Sequence, residues 1–290
     1  SLHDALPISV LHHAPLLVTS TLLPVKEVWS RGGGDSVPAS VLSGLFDLLA
    51  VAGISLTVLD GDGEDLSLLS ERMEVVLAVR PDGKGHSVVY YPLLTAPSPS
   101  ALASLEAALL GADIAPLLAP GGVNEDLSLV SLGNIESSPV LLAGEMFLPY
   151  GRLYYGFDGE SQLGPPAPVL ELLARQGLQG EPVAVDTSFL HFGQLSQVLS
   201  WVPYSGDPGC CGKGFRMLFA DPTLALTLVE QWVANGQGEA TLETPDGPIS
   251  LSSLTGDSGL RAFNEATASE LEVLYGAFLP EFGLVDDDVI

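Results

Sequence analysis

Apolar and polar positions along this chain switch repeatedly between two periods, one suited to strands and one to helices. Short apolar runs at 16–20, 54–59, 73–79 and 87–91 read as strands, as do 153–155 and 215–219. Helical spacing predicts a helix opened by Ser36 and Pro38 and running through Ala52, then helices over 100–110, 168–175, 223–234 and 260–278. The punctuation agrees with this. Gly53, Gly111 and Gly177 follow three of the helices, and Asp221-Pro222 supplies a cap and a first turn for a fourth. Pro81-Asp82-Gly83 predicts a turn between two strands, and Thr244-Pro245-Asp246-Gly247 predicts one between hairpin arms at 239–242 and 248–251. Strands alternating with helices predict an α/β protein. The longest apolar stretch, 41–59, is interrupted by Asp47 and divided by Gly53, so it reads as a buried helix followed by a buried strand, not a membrane span.

Composition narrows the functional classes. With 290 residues, 47% of them apolar, the chain has the length and hydrophobicity for a substantial core and is not a disordered polymer. A formal charge of −26 argues against nucleic acid and anionic membranes, which need clustered Lys and Arg. It suits cationic partners, among them Ca²⁺ and arginine-rich peptides, although an acidic surface also serves solubility alone. The two cysteines, Cys210 and Cys211, are adjacent, so they form neither a disulfide framework nor a zinc site. Asp60-Gly61-Asp62-Gly63-Glu64-Asp65 has the look of a calcium loop, but its sixth position lacks glycine and no helix pair flanks it, so it reads as an acidic turn. No secretory signal is visible. Ser1 to Ile8 reads like a translated sequencing adapter and is set aside, and 283–290 is expected to run into a strand.

Several blocks carry a family resemblance. Ser131-Leu132-Gly133-Asn134-Ile135-Glu136-Ser137-Ser138-Pro139 is similar to the Ser-Phe-Gly-Asn-Leu-Glu-x-Ser-Pro run of protein-arginine deiminases. Gly193-Gln194-Leu195-Ser196, followed by Leu199-Ser200-Trp201-Val202-Pro203, resembles that family's Gly-His-Val-Asp and the Leu-Ser-Phe-Val-Pro-like strand after it. Blocks around 14–28, 69–75, 151–156, 214–218, 236–240 and 260–264 match in the same order. The resemblance implies that residues 9–290 are a partial deiminase catalytic domain. It also implies a pentein fold, a pseudo-fivefold α/β propeller that here stops before its last module is complete. The implied reaction is calcium-dependent hydrolysis of peptidyl arginine to citrulline and ammonia. A Cys thiolate attacks the guanidinium carbon, a His moves protons, and two Asp carboxylates hold the guanidinium.

The same resemblance exposes departures. The first guanidinium-binding Asp falls on Glu71, one methylene longer, which moves its oxygens by roughly an ångström. The His position is Gln194, which does not titrate, and the second Asp position is Ser196, which carries no charge. The nucleophilic Cys position lies beyond Ile290, and the substrate-holding arginines are missing near Ser98-Pro99-Ser100-Ala101-Leu102. One implied calcium site keeps more of its ligands: Glu74 and Glu136 supply carboxylates, Leu132 and Ile135 supply carbonyls, and Ser70 stands in place of a Gln. The alternative for the two glutamates is that they cap strands or pair with arginines. A second implied site has Arg72 where an anion is needed. The expected function is therefore an inactive deiminase homologue whose partner is an arginine-containing protein or peptide. One alternative is a divergent guanidine-modifying hydrolase using Glu71, His191 and a Cys outside this sequence. The other is a binding module that keeps only the fold.

Overall fold

The computed structural model describes residues 16–20, 22–25, 27–31, 39–59, 73–81, 86–94, 103, 106–107, 109–111, 114–118, 131–143, 146–190, 193–205, 213–244 and 247–290. The elements in its first half are β1 (Leu17–Val18), β2 (Glu27–Arg31), α1 (Ala39–Ala52), β3 (Ser55–Leu59), β4 (Met73–Pro81), β5 (His86–Leu94) and β6 (Leu117–Leu118). There follow β7 (Ile135–Ser137), β8 (Leu141–Ala143), β9 (Met146–Leu148), β10 (Leu153–Phe157), α2 (Ala167–Ala174), β11 (Val183–Asp186), β12 (Leu199–Pro203) and β13 (Phe215–Phe219). The chain continues through α3 (Pro222–Trp232), β14 (Thr241–Thr244), β15 (Gly247–Ser250), α4 (Leu251–Gly256) and α5 (Ser258–Glu281). This is the mixed α/β class that the alternating periods predict. Among the described residues the strands form a four-stranded sheet in the order β1-β4-β5-β6, a three-stranded sheet β11-β10-β7, and four two-stranded sheets. These do not join into a closed barrel.

Local chemistry sets the boundaries. Asp221 accepts the Leu224 N–H at 2.8 Å and starts α3 where expected. Asp257 accepts from Gly259 and Leu260, which opens α5 two residues before the expected Leu260. One expectation needs correction. The helix expected to run regularly to residue 234 ends at Trp232 and widens into a π turn over Val233–Gln237, where Gly236 takes a φ of 85°. That angle suits a residue without a Cβ. The run over 283–290, expected to lead into a strand, first passes through a 3-10 turn, Asp286–Asp288, in which the buried Asp288 carboxylate accepts the Val285 N–H and pairs with Lys213 at 2.5 Å. Only the last two residues reach β13, where Ile290 N–H donates to Met217 O at 2.9 Å.

The three-stranded sheet separates two cores. Alternation along β10 sends Leu153 to one face, against Val18, Val76, Leu132, Ile135 and Val169. It sends Tyr154 to the other face, against Trp201, Phe215, Phe278 and Phe282. There the Trp201 Nε1–H donates to the Tyr154 hydroxyl at 2.7 Å, and Tyr154 meets Phe278 and Phe282 edge-on at 5.5 Å. Aromatic pairs in this geometry add stabilisation beyond the area they bury. Gln179 ties β1 to this sheet: its Oε1 accepts the Val18 N–H at 2.9 Å and its Nε2 donates to Tyr150 O at 2.8 Å.

A close joint lies between β10 and the segment leading to β12. Asn134, fully buried, donates from Nδ2 to Gly156 O at 2.9 Å. Its Oδ1 accepts both the Gly156 N–H and the Leu195 N–H at 3.2 Å. A Cβ on Gly156 would meet the Gly193 carbonyl and lie 2.5 Å from Asn134 Oδ1. Gly156→Ala is therefore expected to cost about 1–3 kcal/mol through overpacking. Asn134→Ala, which strands buried main-chain groups, should cost at least as much. Urea unfolding checks both. The exposed Ser196→Ala serves as control and should stay within about 0.5 kcal/mol of the parent. Equal stability of all three variants would show that this joint is not a constraint.

Candidate functional site

Gln194 and Ser196 flank an anchored residue. Leu195 is fully buried in the aromatic core, and its N–H is held by Asn134. The 3-10 turn Leu195–Gln197 begins at Gln194, whose carbonyl accepts the Gln197 N–H at 3.2 Å. Just upstream, Thr187 Oγ1–H donates to the Gly193 carbonyl at 2.6 Å. With the main chain tied at 193 and 195, Gln194 is half-buried and Ser196 is exposed. Neither side chain changes charge in the physiological range, so this pair cannot exchange protons as a His and an Asp would.

Glu74 on β4 and Glu136 on β7 face a common interior. Burial pushes the Glu74 carboxyl well above its ordinary value and nearby Glu136 pushes it further, against a hydrogen bond from the Val75 N–H at 3.0 Å. Burial alone raises Glu136 to about 7. Glu136 stands opposite Tyr154 in the antiparallel register of β7 and β10. The Tyr154 phenol is itself raised, first by burial, then by Glu136 and Glu74, with the Trp201 hydrogen bond opposing. No Lys or Arg among the described residues forms an ion pair with either glutamate. Pairing with arginines therefore does not account for these carboxylates within the described residues.

Leu132 and Ile135 bring their carbonyls to the same stretch on buried side chains, and the Leu132 carbonyl already accepts the Ile135 N–H. The structure thus draws Glu74, Leu132, Ile135 and Glu136 together, and it connects them to the Gln194 segment through Asn134. Among the described residues no three His, Cys, Asp or Glu side chains cluster as metal ligands. Ser70, Glu71, Arg72, His191, Cys210, Cys211, the Asp60–Asp65 turn and residues 98–102 lie outside the described residues. Asn134 was not apparent as a functional candidate, although it sits inside a recognisable block; its signal was a short polar residue between glycine and a buried isoleucine.

The raised carboxyls make stability depend on pH, with a definite sign. A native carboxyl that titrates near 7 instead of near 4.5 binds more protons than the unfolded chain between those values. Its contribution is complete below about pH 4.5 and is lost as pH rises through about 7, a loss of about 3 kcal/mol for Glu136. Thermal melting in chelator should therefore show the parent losing stability across that window relative to Glu136→Gln. A difference profile that is flat, or that rises with pH, would contradict the buried charge.

Comparison with known proteins accords with this arrangement of blocks. The family model for protein-arginine deiminase matches residues 7–290. Protein-arginine deiminase type-1 of Mus musculus is 30% identical over 169 residues, covering 56% of this chain and 24% of that protein. Type-3 of Homo sapiens is 29% identical over 170 residues, covering 56% of this chain and 25% of that protein. A relative named inactive protein-arginine deiminase type-6, from Mus musculus, is 27% identical over 176 residues, with 56% and 26% covered. The alignments thus span about a quarter of the length of these curated relatives. With a family model matching almost from end to end, the chain belongs to the protein-arginine deiminase family.

Proposed function

We propose that this chain is a catalytically silent part of a deiminase catalytic domain that keeps calcium binding and affinity for arginine-containing chains. The observation that carries the reading is the anchored Gln194-Leu195-Ser196 turn. Leu195 is buried and its main chain is tied to Asn134, which supports the register that sets Gln194 against the family's His and Ser196 against its Asp. An amide does not relay a proton, and a hydroxyl does not neutralise a guanidinium. Glu71, in the remaining Asp position, retains a carboxylate, and that charge supports binding of a cationic side chain more than precise attack on it. A relative that is itself named inactive shows that loss of activity has precedent in the family. The pentein propeller belongs to the same proposal, with the separate small sheets as its modules.

The donor set fits calcium. Two half-buried carboxylates, both raised by burial and without a cation among the described residues, are costly to ionise, and a divalent ion bound by hard oxygens would relieve both charges at once. Glu74 and Glu136 would hold it through carboxylates, Leu132 and Ile135 through carbonyls, and Ser70 through its hydroxyl. The ion would supply positive charge and order the β4 and β7 segments around Asn134.

Two measurements test the reading. With Ca²⁺ and a peptidyl-arginine substrate the chain should release no citrulline above background; sustained release would overturn the silent-enzyme reading in favour of a divergent hydrolase. Calcium at about a hundred times its Kd should stabilise the parent by about 2.7 kcal/mol. That stabilisation should vanish in Glu74→Gln and Glu136→Gln. A parent indifferent to calcium would remove the metal from the proposal.

A further inference from the structure

We infer that the groove between β11 and α5 docks an extended basic segment of a partner protein, which adds to the β11 edge as a further strand. The groove has a volume of about 540 Å³, and all four β11 residues line it. β11 is an edge strand: it pairs with β10 in parallel register and with no other described strand. The Thr187 N–H donates to Phe157 O at 2.9 Å, which sets the alternation of main-chain groups. Val183 and Val185 therefore turn their main-chain groups to β10, while Ala184 and Asp186 turn theirs to the open edge. Among the described residues no hydrogen bond reaches those outward groups. An unpaired edge of this kind is the template that strand addition uses.

Side chains say what kind of segment fits. The floor is apolar, built from Val185, Leu274 and Phe278, while Val273 on the α5 wall is 71% exposed. The rim is acidic, from Asp158, Glu160, Asp186 and Glu270. Among the described residues only Glu281 of the lining forms an ion pair, with Arg152 at 2.5 Å, while Asp158 and Asp186 accept hydrogen bonds from Ser161 and Ser188. Side chains of an added strand alternate between faces, so apolar residues would turn toward α5 and basic residues toward the rim. A second copy of this chain, at −26, is a poor electrostatic match for such a rim. Glu74, Glu136, Gln194 and Ser196 are all absent from the lining. The inference extends the binding part of the proposed function but does not depend on the guanidinium centre.

The test titrates the chain with a short capped peptide alternating arginine and valine, read by fluorescence anisotropy and by amide hydrogen exchange. Saturable binding is expected, with slowed exchange at the Ala184 and Asp186 amides and no binding of a glutamate–valine counterpart. Ala184→Pro removes one outward N–H, a change tolerated on an edge strand, and should weaken binding by about tenfold. Glu160→Gln with Glu270→Gln should weaken it similarly, and since neither side chain makes a hydrogen bond among the described residues, this variant decides if Ala184→Pro unfolds. Absence of binding, or binding indifferent to both variants, overturns the inference. If the peptide instead responds only to Glu74→Gln or Glu136→Gln, this groove is excluded while the proposed function survives. Protection of Ala184 and Asp186 that grows with protein concentration alone would assign the groove to a second copy.

Discussion

The geometry of the centre depends on one buried amide. Asn134 has a carbonyl and an amino group to satisfy, and it satisfies them on two different segments, the β10 main chain at Gly156 and the Leu195 N–H. Buried polar groups that are fully paired specify one arrangement, because every shifted arrangement leaves one of them unpaired at a cost of about 1–3 kcal/mol. Gly156 belongs to the same constraint, since only a residue without a Cβ leaves room for Asn134 and the Gly193 carbonyl. The two blocks of sequence that identify the family are therefore physically one unit. Asn134 ties residues 132–136 to 193–197 through the Leu195 N–H.

Electrostatics sets a second, opposing condition. A chain of net charge −26 gains little from burying further anions, yet Glu74 and Glu136 lie together beside the Tyr154 phenol. The interior answers with protons: both carboxyls are raised, so the neutral forms persist to higher pH than in water. Elsewhere the chain handles buried charge differently. Asp288 is 1% exposed but is met by Lys213 and the Val285 N–H. The contrast separates a carboxylate that locks a turn from a pair that the fold itself does not neutralise.

Much of the architecture was legible in the sequence where the causes are local. The Asp221 cap, the β4 and β5 strands and the switch from α1 to β3 follow from side-chain chemistry within a few residues. What was not legible depends on contacts distant in sequence. Gln179 bonding to Val18 spans 161 positions, and Asn134 to Leu195 spans 61. Glu74 and Glu136 were readable as a pair through the family resemblance, but their mutual repulsion and shared burial follow only from packing β4 beside the turn at 132–134. The regular helix expected to residue 234 failed because a backbone preference at Gly236 outweighed apolar spacing. The open edge of β11 left no sequence signal, since edge and central strands of four residues read alike.

On the proposed reading, scaffold and chemistry have separate physical costs, and this explains how one persists while the other departs. Leu195, Trp201, Tyr154, Asn134 and Gly156 are buried, and each is held by packing or by hydrogen bonds that the fold cannot forgo. Gln194 and Ser196 occupy a half-buried and an exposed position, where a change of side chain costs the fold little. Replacing ionisable catalytic groups at such positions can even stabilise a protein, because active centres gather charges that packing does not favour. Glu74 and Glu136 stand apart from both classes. They are half-buried and burial raises both carboxyls, and on the proposed reading a bound ligand neutralises them when they ionise. A cation fits that requirement, and its binding would act through Asn134 on the very turn that carries Gln194 and Ser196.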